Sequence, residues 1–144
     1  MKLDDVEMTT ALLLLRSLGL TKYEAHAYWN LIKNGPQNAR VLSRFTGIPG
    51  GRIYSVMSGL INEGWVKVAV NERPKIYYAV DPDIIIPKRL KQMKEDFDAL
   101  EIRANRISAI LHTMFSKHSA IESSFFEGNN HFYKHFLARG KEVS

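Results

Sequence analysis

The side chains of this sequence that are best suited to bind a charged ligand are basic, and they concentrate in one segment. Residues 37–80 hold six lysines and arginines against two glutamates, which gives +4 of the formal net charge of +5. These basic residues are Arg40, Arg44, Arg52, Lys67, Arg73 and Lys75. A local excess of positive charge is expected for a surface that meets a polyanion, and a solvated basic face is the plainer alternative.

A doubled glycine lies inside this basic segment, in the stretch GIPGGRIYS at residues 47–55. Glycine is a poor helix former, yet the sequence from Arg52 onward has the pattern of a helix. Two glycines before a helix could cradle a phosphate, or they could let the backbone lie close against a large partner. A Walker-type loop is excluded, because no predicted strand precedes Gly50 and no Lys-Ser/Thr pair follows Gly51.

Residues that would support catalysis or metal binding are sparse. The sequence has no cysteine, no Walker loop, no dinucleotide-binding fingerprint and no HExxH motif. His131 and His135 have the i, i+4 spacing of metal ligands on a helix, but without a third ligand nearby we interpret them as surface or packing residues. His26 and His112 are interpreted as structural. We therefore predict a protein that is not an enzyme, with no catalytic residues, no metal and no cofactor.

The composition indicates a folded protein inside the cell. Hydrophobic residues make up 45% of the sequence and charged residues 24%, as is usual for globular domains. The absence of cysteine fits an intracellular setting. The longest apolar run, Ala11–Leu15, is too short to span a bilayer, and acidic residues precede it where a secretory signal would be basic. We expect a cytoplasmic location and no membrane partner.

Capping signals predict the order of the helices. An amphipathic helix over residues 9–18 ends at Gly19, and Thr21 and Glu24 are spaced as the capping box of a second helix that ends at Asn34. Its predicted buried side consists of Ala25, Tyr28, Leu31 and Ile32. Asn38 is predicted to cap a short helix over residues 39–46. A further helix runs from roughly Gly50 to Glu63 with the apolar stripe Ile53, Val56, Met57 and Leu60.

The sequence period changes from helix to strand after Gly64. WVKVAV and KIYYAV, separated by the polar NERP, predict an antiparallel hairpin. Helix, short helix, helix and hairpin is the order of elements in a winged helix-turn-helix. The predicted fold class is therefore α+β, mostly α, with a winged helix-turn-helix domain and an extra N-terminal helix at residues 1–82.

Residues 83–118 predict a long coiled-coil dimerisation helix. Pro87 is placed near its start, because a proline inside a helix breaks the hydrogen-bond ladder. Apolar residues recur with alternating spacings of four and three, and the predicted dimerisation residues are Leu90, Met93, Phe97, Leu100, Ala104, Ile107, Leu111 and Met114. So narrow a stripe favours a homodimeric coiled coil over a core helix, with parallel and antiparallel arrangements both open. Residues 119–144 are predicted to be a tail with a short helix at Asn130–Leu137.

Three stretches of the sequence resemble the archaeal TrmB-like transcriptional regulators, a winged-helix family often described as sugar-specific. They are LGLTKYEAHAYWNLIKNGP, ARVLSRFTGIPGGRIYSVMSGLINEGWV and RPKIYYAVDP, which lie within residues 17–83. The resemblance implies a dimeric, promoter-binding transcription factor, in many members with a C-terminal ligand-sensing domain. Because only residues 119–144 follow the long helix, a complete chain would lack that domain, so the sugar effector that the resemblance implies does not carry over, and whether any effector exists stays open.

The winged helix-turn-helix assigns candidate roles to the basic segment. The third helix enters the major groove, the helix before it crosses the backbone, and the wing reaches phosphate or the minor groove. The residues predicted to bind DNA are Asn38, Arg40, Arg44, Gly50, Gly51, Arg52, Tyr54, Ser55, Ser58, Arg73 and Lys75. Arg52 could bind either a guanine or a phosphate. The two glycines lack side chains, which predicts recognition through shape and phosphates more than through bases.

The predicted function is that of a sequence-specific transcriptional regulator. It binds double-stranded DNA as a homodimer, at a pseudo-palindromic site with half-sites about one helical turn apart. A chromatin-like protein that binds DNA without sequence preference is one alternative. A winged-helix protein-interaction module is another, and the charge distribution argues against it.

Overall fold

The computed structural model describes the backbone of residues 3–125, which form five helices and three strands. The elements are α1 (Leu3–Ser17), α2 (Lys22–Asn34), β1 (Gln37–Asn38), α3 (Ala39–Thr46), α4 (Gly50–Asn62), β2 (Val66–Ala69), β3 (Ile76–Ala79) and α5 (Pro82–Phe125). The chain divides into two compact units, Met1–Lys94 and Glu95–Ser144. Among residues 3–125, no helix is both long enough and apolar enough to cross a membrane.

The helix ends follow from local capping, as the sequence predicts. The backbone N–H of Glu24 donates to the Thr21 hydroxyl at 3.2 Å, and the N–H of Thr21 donates to the Glu24 carboxylate at 2.9 Å, which completes the capping box of α2. The Asn38 side-chain oxygen accepts from the N–H of Val41 at 2.9 Å and caps α3. Gly47 ends α3 with a φ of 76°, a left-handed conformation that favours glycine. α1 begins at Leu3, one and a half turns before the predicted start.

The sheet has one strand more than the predicted hairpin. β2 and β3 pair antiparallel with Val66 opposite Ala79, which confirms the hairpin. β1 pairs antiparallel with the other edge of β3, with Gln37 opposite Tyr77, so the strand order is β1-β3-β2. The sequence did not reveal β1, because two residues are too few to show a strand period. This pairing ties the segment before α3 to the wing.

The core of the first unit is formed by all four short helices, the sheet and the start of α5. Its largest fully buried side chains come from the helices, from β2 and from the connections beside them, and they are Trp65, Leu42, Ile48, Ile53, Met57, Leu60 and Val66. The expectation that Ile32 would be buried is wrong: its side chain is 42% exposed. The buried face of α2 is centred on Ala27, Tyr28 and Leu31, so Ile32 falls at its edge.

Tyr28 joins α2 to the end of the hairpin. Its ring meets the Trp65 ring edge-on, with centroids 5.1 Å apart, and its hydroxyl donates to the carbonyl oxygen of Val80 at 2.7 Å. Burial, with a smaller contribution from the Asp81 charge, raises the pKa of Tyr28 to about 12. The hydroxyl therefore keeps its proton, and this hydrogen bond persists at any pH at which the protein would be studied.

α5 begins earlier than the position of Pro87 suggested. The Asp81 carboxylate accepts from the N–H of Asp83 at 2.9 Å, and the Asp81 carbonyl accepts from Ile84 and Ile85, so Asp81 caps a helix that begins at Pro82. Pro87 therefore lies inside the helix, in its second turn. Ile85 is 4% exposed and fixes this first part of α5 to the core of the winged unit.

Candidate nucleic-acid interface

α4 turns one face to the core and a face of short side chains to solvent. Ile53, Met57 and Leu60 are buried in the core. On the opposite side, Gly51, Ser55, Ser58 and Asn62 are all exposed. We call these four residues the outward face of α4. It carries no charge and no long side chain, so it can lie close to a flat or grooved partner but offers few groups that could reach far into it.

The glycines of α4 fall into two kinds. A Cβ added to Gly59 would lie 2.6 Å from the Glu24 carboxylate, so a side chain there would push this carboxylate from its place in the capping box. A Cβ added to Gly50 or Gly51 would meet nothing within 4 Å, and neither residue has a positive φ. A side chain at position 59 would therefore require only the flexible end of Glu24 to move, whereas the fold places no such restriction on Gly50 or Gly51.

Arg52 lies on the flank of α4 that faces α2, beside the outward face. Its guanidinium carbon is 5.8 Å from the centre of the Tyr23 ring, within the range of a cation–π interaction. Lys22 is exposed next to Tyr23. The sequence reading did not find Lys22 or Tyr23, because their proximity to Arg52 arises from the packing of α2 on α4 and leaves no local signal.

The opposite flank of α4 faces the wing. A cleft of about 700 Å³ separates Tyr54 from the turn between β2 and β3, and among its lining residues are Arg40, Arg73 and Lys75. The structure thus brings together predicted residues from α3, α4 and the wing. Glu72 also lines this cleft and reduces its positive potential. Tyr54 is 64% exposed, so its ring and hydroxyl are available to a partner.

Two of the predicted DNA-binding residues, Asn38 and Arg44, contribute less to the cleft beside the wing than expected. Asn38 lines the cleft beside the wing, but its side-chain oxygen is occupied by capping α3, which leaves only its amide nitrogen to bind a partner. Arg44 is exposed one turn beyond Arg40 on α3 and lies outside the residues that line this cleft.

Burial explains the pKa of the tyrosine at the base of the wing. Tyr77 is 4% exposed, and burial, followed by the nearby Tyr54, raises its pKa above the ordinary value of 10.0. Tyr77 is therefore a neutral packing residue between β1 and β2, while Tyr54 presents the exposed phenol of this pair.

α5 presents a second candidate surface. Among the predicted dimerisation residues, six large side chains are between 49% and 60% exposed in the chain: Leu90, Phe97, Leu100, Ile107, Leu111 and Met114. Ala104 is also exposed. Met93 differs from them, because it is partly buried against the core of the winged unit, as is Ile86 one heptad earlier. The part of the stripe left without cover in the chain thus lies mainly beyond residue 94.

No cluster of three or more metal-ligating side chains occurs among the residues that the structure describes. His131, His135 and the predicted helix Asn130–Leu137 lie outside those residues. His26 is half-buried on α2, and burial, followed by the positive charge of Lys22, lowers its pKa below the ordinary value of 6.5.

Three packed helices followed by a hairpin, with the third helix and the hairpin flanking one basic cleft, define a winged helix-turn-helix domain. Residues 15–83 match the family described as sugar-specific transcriptional regulator TrmB. This match and the relatives below confirm the resemblance to the TrmB-like winged-helix transcriptional regulators that was seen in the sequence.

Two curated relatives resemble part of the chain. This chain is 39% identical over 87 residues to the HTH-type sugar sensing transcriptional regulator TrmBL1 of Pyrococcus furiosus. The match covers 60% of this chain and 25% of that protein. The chain is 31% identical over 88 residues to the uncharacterized protein YrhO of Bacillus subtilis, covering 61% of this chain and 32% of that protein. The chain therefore spans only a quarter to a third of these curated relatives.

Solved structures support the same fold. TrmBL2, an archaeal chromatin protein, superposes with a TM-score of 0.64 at 23% identity, over 76% of this chain and 43% of that one. The mostly helical fold with a small sheet and a long last helix is thereby confirmed.

Proposed function

We propose that the chain binds double-stranded DNA and regulates transcription through its winged unit. The main observation in support of this proposal is the outward face of α4. Its side chains are short and uncharged, and it is flanked by Arg52 on one side and by Arg40, Arg73 and Lys75 on the other. Membership of a family of transcriptional regulators supports it. Most of the chain's net positive charge belongs to the segment that forms this surface.

The docking that best uses this surface puts α4 in the major groove. Ser55, Ser58 and Gly51 then face the base edges, while Arg40 and Arg44 of α3 lie along the DNA backbone. Arg73 and Lys75 reach phosphate or the adjacent minor groove from the wing. In this proposal most contacts are to phosphates, because the residues that face the groove are short and the long basic ones stand on its flanks.

The working form in this proposal is a homodimer held by α5. In support, the a and d positions from Phe97 to Met114 are apolar and exposed in the chain, and all except Ala104 are large, so a second copy would cover them. Two winged units related by a two-fold axis would bind two half-sites, so the DNA site would be pseudo-palindromic with half-sites roughly 34 Å apart. The strand orientation of the coiled coil stays open.

A second candidate is a DNA-binding protein with little sequence preference. The outward face of α4 favours it, because Gly51, Ser55 and Ser58 offer few groups for direct base readout. Both candidate functions include the same phosphate contacts. They differ in how much contacts to the bases contribute to the affinity for DNA. Measurement of affinity on two kinds of DNA therefore separates them.

The test compares a duplex from the region upstream of the protein's own gene with a shuffled duplex of equal length, at two salt concentrations. A regulator binds the first duplex at least about 10³-fold more tightly, whereas a binder without sequence preference shows nearly equal affinities. In both cases affinity falls steeply with salt, because phosphate contacts release counterions. The proposal fails if neither duplex is bound at low salt.

Gly51 tests whether the backbone of α4 approaches DNA closely. Gly51→Ala adds a methyl group that meets nothing in the folded chain, so we expect stability to stay the same or to rise by about 0.5–1 kcal/mol, because alanine is the better helix former. DNA affinity should nevertheless fall, because the methyl group would occupy space at the interface. Thermal unfolding and DNA titration are measured on the same sample. Unchanged or tighter DNA binding would contradict close approach.

The proposal includes a cytoplasmic location, where the protein would meet the genome, and no enzymatic activity, since the named family consists of regulators. It assigns no effector. TrmBL1 is named as a sugar sensing regulator, but the chain covers only 25% of that protein, so sugar sensing is not carried over to this chain.

A further inference from the structure

A second cleft lies on the other flank of α4, away from the wing. It has a volume of about 480 Å³ and lies between the first turn of α2 and the first half of α4. Its lining residues are Thr21, Lys22, Tyr23, Glu24, Arg52, Ser55 and Val56. Ser55 belongs both to this cleft and to the outward face, so the cleft opens toward the same partner as that face does.

Arg52 is held in this cleft by an aromatic platform. Tyr23 is half-buried and packs against the core of the winged unit, so its ring is fixed, and the Arg52 guanidinium lies 5.8 Å from the ring centre. A guanidinium over the face of a ring still has N–H groups that can donate to an anion. Held toward α2, Arg52 is directed away from the centre of the outward face, where a base-reading side chain would have to project.

Lys22 adds a second positive charge to the cleft from a different helix, and its side chain is exposed. Glu24 supplies the only carboxylate among the lining residues described for this cleft. One of its oxygens accepts from the N–H of Thr21 at 2.9 Å, and the other lies beside Gly59, one turn beyond Ser55 along α4. One oxygen of Glu24 is thus engaged by Thr21 and the other lies toward Gly59, while Arg52 and Lys22 supply two positive charges to the lining of the same cleft.

We propose that this cleft holds a backbone phosphate of the DNA, bound by Arg52 and Lys22, and that Tyr23 is the positioning residue for Arg52. The inference rests on the proposed DNA-binding function and deepens it, because it assigns Arg52 to a phosphate instead of a guanine. α4 would then be held between two phosphate-binding flanks, this cleft on one side and the wing on the other. Such an arrangement fixes the depth of α4 in the groove without reading a base.

The experiment measures the affinity of the full chain for two duplexes of unrelated sequence as a function of salt. Arg52→Ala should lower affinity by the same factor on both duplexes and reduce the slope of log affinity against log salt by about 1. Tyr23→Leu should lower affinity about 2- to 5-fold, the equivalent of one exposed cation–π interaction. Tyr23→Phe keeps the ring and is the matched control, expected to bind like the wild type.

A double substitution separates positioning from folding. If Tyr23 acts through Arg52, Tyr23→Leu has no further effect on DNA affinity once Arg52 is alanine. An equal loss in both backgrounds would overturn the positioning role. Arg52→Ala changes an exposed side chain, so it tests the phosphate site even where Tyr23→Leu does not fold. A loss confined to one duplex, with an unchanged salt slope, would show a base contact and overturn the inference.

Lys75→Ala on the wing is the reference for the proposed function itself. If Lys75→Ala weakens binding but Arg52→Ala and Lys22→Ala do not, the cleft beside α2 holds no phosphate and this inference alone fails. If the wild type binds neither duplex, the DNA-binding proposal fails, and this inference fails with it.

Discussion

The winged unit and the later part of α5 contain similar apolar residues that meet different surroundings. In the winged unit Leu42, Met57 and Leu60 are fully buried within the chain. Beyond residue 94, Phe97, Leu100 and Leu111 are more than half exposed. The first pattern encodes a core that the winged unit completes by itself. The second leaves apolar side chains exposed among the residues that the structure describes, and these are the side chains that we propose a second copy covers. The comparison shows that a hydrophobic period identifies a buried face but not the molecule that buries it.

The largest contrast is expected between two identical leucine-to-alanine substitutions. Leu60 is fully buried, so Leu60→Ala should destabilise the winged unit by about 2–5 kcal/mol through lost burial and a cavity. Leu111 is 58% exposed, so Leu111→Ala should change the stability of the isolated chain very little. Urea unfolding in dilute solution, where a dimer would dissociate, gives both values. Equal losses at the two positions would show that Leu111 is part of a core within the chain.

The next contrast concerns two apolar residues of α5. Leu100→Lys puts a charge at a d position and should convert the dimer to monomers. Ile102 is 62% exposed but occupies an f position, on the far side from the stripe, so Ile102→Lys should leave the dimer intact. Sedimentation equilibrium measures both. A dimer that survives Leu100→Lys, or that is lost equally with Ile102→Lys, would refute the coiled coil.

A smaller effect is expected from His26 in the winged unit. Its pKa is lowered, first by burial and then by Lys22, so the unfolded chain binds a proton at His26 more readily than the folded chain does. This contribution to stability is present above the ordinary value of 6.5 and is lost as the pH falls through the folded pKa. Melting temperatures between pH 7.5 and 5 should therefore fall less in His26→Gln than in the wild type. An identical pH dependence would show that His26 is not involved.

Features that depend on neighbouring residues in the chain could be predicted from the sequence. The Thr21 capping box, the Asn38 cap and the left-handed Gly47 each need only residues within about one helical turn. The hairpin and the heptad produce patterns of apolar residues over longer segments, and these patterns could also be recognised in the sequence. The winged helix-turn-helix followed from their order.

Features that depend on distant residues could not be predicted in this way. β1 exists only because Gln37 pairs with Tyr77, and the placement of Arg52 depends on Tyr23 of another helix. The early start of α5 is a different case, because it depends on the adjacent Asp81, whose carboxylate and carbonyl accept from the first free N–H groups of the helix. This local cap was overlooked because Pro87 was placed near the helix start. For the candidate interface, the sequence therefore supplied most of the residues, while the structure showed that they form two flanks around a smooth outward face.

We propose that the winged unit binds DNA and that α5 joins two such units. The number of chains bound to one duplex that contains the site tests both parts together, determined by sedimentation equilibrium for the wild type and for Leu100→Lys. We expect two wild-type chains per duplex, and weaker binding by single chains of the variant. One wild-type chain per duplex, or two chains bound equally well by the variant, would contradict it.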